Sequence, residues 1–204
     1  MRIFAIGRNY AEHITELNND RPDEPVVFTK PDTAILKNGS PFYYPEISKD
    51  IHHEIELVLK ISKEGKNIEE KFAHKYYDSI GLGVDFTARD LQQKLKEKGL
   101  PWDIAKGFNS SAPISDKFIP VSEFKNLSDI NFKLEVDGVV KQEGNTSLML
   151  FNFNHIISYL SKFFTLRTGD LIYTGTPKGV DPVSIGNKLT GYIENEKLLE
   201  FEVK

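Results

Sequence analysis

Apolar and polar residues alternate along several short runs of the chain. The clearest is Ile55–Ile61 (Ile-Glu-Leu-Val-Leu-Lys-Ile). Successive strand side chains point to opposite faces, so this run predicts a strand with Ile55, Leu57 and Leu59 on one side. Arg2–Ile6 reads as a first strand closed by Gly7-Arg8-Asn9, with a short helix from Tyr10 to about Leu17. Asn18-Asn19-Asp20-Arg21-Pro22 is loop chemistry. Val26–Phe28, Ser79–Val84, Leu171–Thr174, Lys188–Ile193 and Lys197–Val203 add further strands. Asn131–Val136 and Val139–Gln142 flank Asp137-Gly138, a strong hairpin signal. Helical spacing appears at Glu69–Tyr77, and from Ala88 to about Lys98, where Thr87 or Asp85 is a fitting N-cap and Gly99 and Pro101 are stops. It appears again at Phe153–Phe164, where Ile156, Ile157, Leu160, Phe163 and Phe164 share a face. Strands outnumber helices and do not alternate with them regularly. The expected fold is therefore mixed and β-rich with a few helices, and a doubly wound α/β sheet is disfavoured. No repeat or linker divides the 204 residues, which read as one domain, 1–204.

Composition narrows the function. The chain has no cysteine, which excludes disulfides, thiolate-ligated zinc, iron–sulfur clusters and thiol nucleophiles. At 39% hydrophobic residues it carries too much core-forming material for a disordered chain. With 26 basic and 30 acidic residues its formal charge is 26 − 30 = −4, so no nucleic-acid partner is expected. No apolar run reaches the ~18 residues of a membrane span. These features lead to the expectation of a soluble, cytoplasmic protein.

The acidic residues carry the chemistry. In a strand Glu54 and Glu56 project side by side, with Val58 following them on that face. If that face is buried, two adjacent anions need a proton, a cation or a metal. Oxygen ligands suit a hard divalent ion such as Mg²⁺ or Mn²⁺. A solvated edge strand is the competing reading. Asp85 ends the apolar run Ile80–Val84 and offers a third carboxylate, with the helix N-cap as its plainer role. Arg89 and Gln92 fall three apart on the following helix and share a face. Lys106 lies in an apolar stretch next to the only tryptophan, Trp102. It is a candidate for electrostatic or acid–base work, or a snorkelling surface lysine.

Six segments in order resemble the fumarylacetoacetate hydrolase family. They are Gly7–His13, Phe28–Pro31, His53–Leu57, Asp85–Asp90, Pro101–Phe108 and Thr174–Val180. The chain most resembles the short acylpyruvase and oxaloacetate decarboxylase branch. The resemblance implies a β-sandwich or β-roll with flanking helices, and a homodimer. It implies metal binding by Glu54, Glu56 and Asp85, and catalysis by His13 and Glu16 on a helix that closes over the ligand. Lys106 would stabilise negative charge, and Arg8, Arg89, Gln92 and Thr176 would bind substrate. The reaction first expected is hydrolysis of the C–C bond of 3-acylpyruvates through a metal-stabilised enolate, with His13 and Glu16 activating water. Oxaloacetate decarboxylation, tautomerisation, or isomerisation of unsaturated 2-oxo diacids would reuse the same enolate. His52 and His53 are not expected to be ligands, and the loops Asn18–Glu24 and Ser110–Asp116 are expected to size the distal pocket.

Overall fold

The structure, a computed structural model, describes residues 1–17 and 20–204. Its strands are β1 (Ile3–Gly7), β2 (Val26–Lys30), β3 (Ile35–Lys37), β4 (Ile51–His53), β5 (Ile55–Ile61), β6 (Tyr77–Val84), β7 (Thr87–Ala88), β8 (Ala112–Ile114), β9 (Ile119–Pro120), β10 (Asn131–Val136), β11 (Val139–Asn145), β12 (Leu171–Tyr173), β13 (Asp181–Pro182), β14 (Lys188–Ile193) and β15 (Glu196–Glu202). The α-helices are α1 (Ala11–Glu16), α2 (Arg89–Glu97), α3 (Asp103–Lys106) and α4 (Phe153–Phe163). The β-rich expectation is met.

The largest sheet runs β2-β1-β12-β5-β6-β8-β3, with β9 pairing alongside β6. A second sheet runs β11-β10-β14-β15, and a small one β13-β4-β7. The main core lies between the first two. Alternation decides which side chains enter it: Phe4 and Ile6 of β1, and Ile55, Leu57, Leu59 and Ile61 of β5, all point there. The alternate residues Ile3, Ala5 and Val58 point to the other face, with Tyr173 and Leu171. Glu56 shares that second face, as the strand period requires.

The hairpin signal holds: Asp137 and Gly138 both have positive φ (53° and 78°), the conformation of the tight turn that joins β10 to β11. Other expectations change. Glu69–Tyr77 forms a 3₁₀ turn over Glu70–Lys75 rather than an α-helix. Neither Thr87 nor Asp85 caps α2, whose N-cap is Ala88 with no side-chain bond. Thr87-Ala88 is drawn into β7, so the helix starts later and Asp85 is left free for another role. Ser110–Asp116 is not a pocket loop, since it contributes β8, buried in the large sheet. The stretch Asn18–Glu24 contains Asn18 and Asn19, which lie outside the described residues.

Candidate active site

Three acidic side chains converge at the end of β5 and β6. The antiparallel register pairs Ile55 with Val84 and Glu56 with Gly83. Asp85 then donates its backbone N–H to the Glu54 carbonyl at 2.8 Å. Phe86 anchors the turn by stacking on Phe42, with 4.1 Å between ring centroids. Glu54, Glu56 and Asp85 are buried, and each offers an oxygen within 4.8 Å of the others.

Cationic side chains surround this group. Lys106 Nζ lies 2.7 Å from Glu54 Oε2 and 2.6 Å from Asp85 Oδ2. Arg89 Nη2 donates to Glu54 Oε1 at 2.6 Å, and its Nη1 donates to Gln92 Oε1 at 2.7 Å. Lys30, to which the sequence assigned no role, is fully buried, with its Nζ 2.6 Å from Asp85 Oδ1. That ammonium also reaches the carbonyls of Phe86, Lys106 and Ser111. It therefore ties Asp85 to the end of α3, which carries Lys106. Nothing in the local sequence distinguishes it from a surface lysine, because every partner comes from a distant segment.

Glu56 stands apart from this pairing. Among the described residues it accepts one hydrogen bond, from Gly175 N–H at 2.6 Å, and no cationic side chain forms an ion pair with it. Gly175 has φ +103°, and a Cβ there would fall 2.6 Å from Asn9 Cβ, so only glycine brings its N–H to the carboxylate. Asn9 holds the two segments together, with Nδ2 donating to the carbonyls of Phe151 and Thr174.

The electrostatics divide the carboxylates. Burial alone would raise the pKa of Glu54, but Lys106 and Arg89 overcome it and hold the group well below the usual carboxylate range. Burial, then Asp85 and Glu54, push Glu56 well above that range. Lys106 is also buried, yet Asp85 and Glu54 raise its pKa. Burial lowers that of Lys30, and nearby Lys106 adds to the effect.

A divalent cation fits these residues. Glu56 is a buried carboxylate with an unfavourable charge, and Asp85 Oδ1 is a buried acceptor without an aligned hydrogen-bond donor. The donor set is all oxygen, as a hard ion requires.

His13, on α1, faces the same cavity. Its Nδ1 lies 3.2 Å from Glu16, whose other oxygen accepts from Gly179 N–H at 3.0 Å. Burial lowers the His13 pKa, so the ring is neutral near pH 7. Because Glu16 is an acceptor, Nδ1 carries the proton and Nε2 keeps a lone pair. Thr176 is buried, and its Oγ1 accepts from Gln142 Nε2 at 2.8 Å. Gln142 was also unassigned. Its Oε1 takes the His53 ring (2.9 Å) and the Ile55 N–H (3.0 Å), so it bolts the Gly175–Gly179 loop to the strand that carries Glu56. His53 is thus a packing residue.

The cavity is lined by Arg8, His13, Glu54, Glu56, Asp85, Arg89, Gln92, Lys106 and Thr176, all expected from the sequence. Phe28, Lys96 and Trp102 join them. Glu16 stands behind His13 rather than in the wall. At ≈ 30 Å³ the space holds about one water.

Lys30→Met is expected to leave Asp85 with one cation fewer in a buried site. Such a loss costs about 3–5 kcal/mol of folding stability. Urea unfolding measures it, and a variant as stable as the parent would contradict the tie.

Comparison with known proteins decides the family. A family model described as fumarylacetoacetate (FAA) hydrolase C-terminal matches residues 2–204. The chain belongs to the fumarylacetoacetate hydrolase family. Among its relatives is mouse oxaloacetate tautomerase FAHD1, mitochondrial, 43% identical over 99% of this chain and 91% of that protein. Oxaloacetate decarboxylase, mitochondrial, from Dictyostelium discoideum is 46% identical over 91% of this chain and 85% of that one. The crystal structure of a fumarylpyruvate hydrolase from Pseudomonas aeruginosa, in complex with Mn²⁺ and pyruvate, superposes with a TM-score of 0.94. It is 36% identical and covers 100% of this chain and 89% of that one. Within the family, then, relatives act on oxaloacetate, and one holds Mn²⁺. The cytoplasmic location expected above is corrected by the mouse and Dictyostelium relatives, whose names place them in the mitochondrion. Charge and hydropathy say nothing of the compartment around a fold.

Proposed function

We propose that the protein interconverts the keto and enol forms of oxaloacetate or a closely similar 2-oxo acid, with Mg²⁺ or Mn²⁺ held by Glu54, Glu56 and Asp85. The observation that carries this reading is a neutral, Glu16-oriented His13 in the same cavity as three buried carboxylates and Lys106. The similarity to an oxaloacetate tautomerase and an oxaloacetate decarboxylase supports it.

A divalent cation in this site supplies Lewis-acid stabilisation of negative charge on the 2-oxo oxygen. The chain's own groups do the rest. His13 Nε2 removes a proton from C3 as the C2–C3 double bond forms, and Glu16 keeps the ring in the right tautomer. Lys106 donates a hydrogen bond where the negative charge grows. The proton taken up by His13 is then passed to the C2 oxygen, which completes the enol and restores the neutral ring, and the reverse path returns it to C3. Arg89 and the Thr176 hydroxyl orient the substrate carboxylate. A four-carbon acid is larger than the present cavity, so α1 shifts outward to admit it. This helix has only six residues and no side-chain N-cap, so it depends on tertiary contacts.

The expected result is a Mn²⁺-dependent acceleration of oxaloacetate enol decay, followed by ultraviolet absorbance and abolished by EDTA. Undiminished activity after metal removal would contradict it. Acylpyruvate hydrolysis is a second reading, favoured by the likeness to a fumarylpyruvate hydrolase and by a His–Glu pair able to activate water. Pyruvate release from acetylpyruvate faster than oxaloacetate enol decay would give it precedence.

The reading includes a homodimer. Leu100, Ile104 and Phe163 are each about half exposed or more (48%, 61% and 58%), an apolar face that a second copy would cover. Light scattering is expected to give twice the chain mass, and a monomer at micromolar concentration would contradict it.

A further inference from the structure

A second cavity, of ≈ 310 Å³, opens at the N-terminus of α4 and shares no lining residue with the catalytic cavity. Its size falls at the lower end of the range of small-ligand pockets. α4 has eleven residues, and its N-cap Asn152 commits its side-chain oxygen to the His155 N–H at 2.9 Å. The N–H groups of Phe153 and Asn154, in the same first turn, have no acceptor among the described residues. Unpaired first-turn N–H groups and the helix dipole favour an anion. A helix end alone makes no site, since water satisfies it equally well. Tyr77, at the start of β6, supplies the second observation. It is 4% exposed and lines the cavity. Its ring packs edge-on against Phe153, with 6.1 Å between centroids, and its hydroxyl makes no hydrogen bond among the described residues. Most buried hydroxyls are paired, so one that faces a cavity without a partner is open to a ligand. Burial pushes the Tyr77 pKa up to about 12, which keeps the proton on the oxygen at neutral pH. Thr146 adds a further donor. Its Oγ1 already accepts the Ile130 N–H at 2.9 Å, which leaves the hydroxyl proton to give. No acidic side chain lines the cavity among the described residues.

We propose that this cavity is a second ligand site, which binds a small organic anion, a carboxylate or a phosphate monoester. The anion's oxygens accept from the Tyr77 and Thr146 hydroxyls and from the first-turn N–H groups of α4. These are charge-assisted hydrogen bonds, stronger than those between neutral groups. Leu127 and Met149, also in the wall, give the apolar part of the ligand a surface to rest on. The site is independent of the catalytic residues. It nevertheless adjoins them through the backbone, because Met149 pairs with Tyr10, the N-cap of the helix that carries His13.

The test is amide NMR of the isotope-labelled, Mg²⁺-loaded protein, titrated with butanoate and with phenyl phosphate. One probe carries a carboxylate and the other a phosphoryl group, so the pair separates the two sources of the anion. At least one is expected to shift the Phe153 and Asn154 amide signals saturably. The catalytic cavity also attracts anions, and the Gly175 amide reports on it separately. Tyr77→Phe is expected to weaken binding at α4 about tenfold, the scale of one hydrogen bond to a charged group. It should leave Tm unchanged or raise it, because the hydroxyl it removes has no partner in the protein. Shifts confined to Gly175, or no saturable shift at Phe153 and Asn154 with either probe, would overturn the proposal. So would a Tyr77→Phe protein that binds as the parent does, or one with a lowered Tm, since the hydroxyl would then serve the fold.

Discussion

Glu56→Gln is expected to abolish metal-dependent turnover and, at the same time, to stabilise the metal-free protein at alkaline pH. The two effects have one cause. Glu56 is buried beside Glu54 and Asp85, and among the described residues a single backbone N–H is its hydrogen-bond partner. Its carboxyl is pushed well above the ordinary 4.5, first by burial and then by Asp85 and Glu54. For a carboxyl whose folded pKa is raised, the penalty is absent below the unfolded value. It grows as pH rises from there toward the folded value. Metal-free parent protein should therefore lose stability as pH climbs above about 4.5, and a neutral glutamine should not share that loss. In a domain of this size each kcal/mol recovered raises Tm by roughly 2–4 °C. A bound divalent cation reverses the sign, because it needs the ionised form. Even residues behind a metal's ligands typically change affinity about 10–100-fold, so loss of a direct ligand should weaken Mn²⁺ binding by at least about 100-fold. Scanning calorimetry at pH 6 and pH 8, with and without Mn²⁺, separates the effects. A Glu56→Gln protein that keeps the parent's Mn²⁺-induced rise in Tm would contradict the assignment.

His13→Ala is expected to cut turnover by about 10²–10⁴-fold, the usual contribution of a positioned acid–base group. It should leave Mn²⁺ affinity near the parent value, since His13 is not one of the three carboxylates that could hold a metal ion. The pH profile gives an independent check. In the proposed reaction His13 acts as a base and would be inactive once protonated. Burial lowers its pKa from 6.5, so the acid limb of kcat should lie below 6.5. That limb should vanish in His13→Ala. An acid limb at or above 6.5 that survives the substitution would assign the titration to another group. Glu16→Gln should act through His13: its bond to Gly179 can persist, but the charge that favours the Nε2 lone pair is gone.

Local periodicity made part of this molecule legible. Ile55–Ile61 could be read as a strand to the residue, because alternation is a property of neighbours in sequence. It also placed Glu54 and Glu56 side by side on one face, from which, once that face is buried, the need for a proton or a cation follows. The resemblance to the family added His13, Glu16 and Thr176, none of which stands out by spacing alone. Lys30, Lys96 and Gln142 were not legible. Lys30 is a buried cation held by carbonyls from residues 56, 76 and 81 positions away. Lys96 lies among several lysines on a polar helix, and only the packing of α2 shows which one faces inward. Asp85 illustrates the competition between local and tertiary demands. Its sequence context suits an N-cap, but β7 pairs with β4 and delays the helix, and the carboxylate turns to Lys106 and Lys30 instead. Sites made from distant segments are invisible to periodicity, whereas the strands that carry them are not.

The central claim is that Glu54, Glu56 and Asp85 hold one divalent cation at the heart of the enol chemistry. Anomalous diffraction from Mn²⁺-soaked crystals tests it most directly. The account predicts a single strong peak within coordination distance of all three carboxylates, lost in Glu56→Gln crystals. A peak elsewhere, or none between these side chains at saturating Mn²⁺, would contradict it.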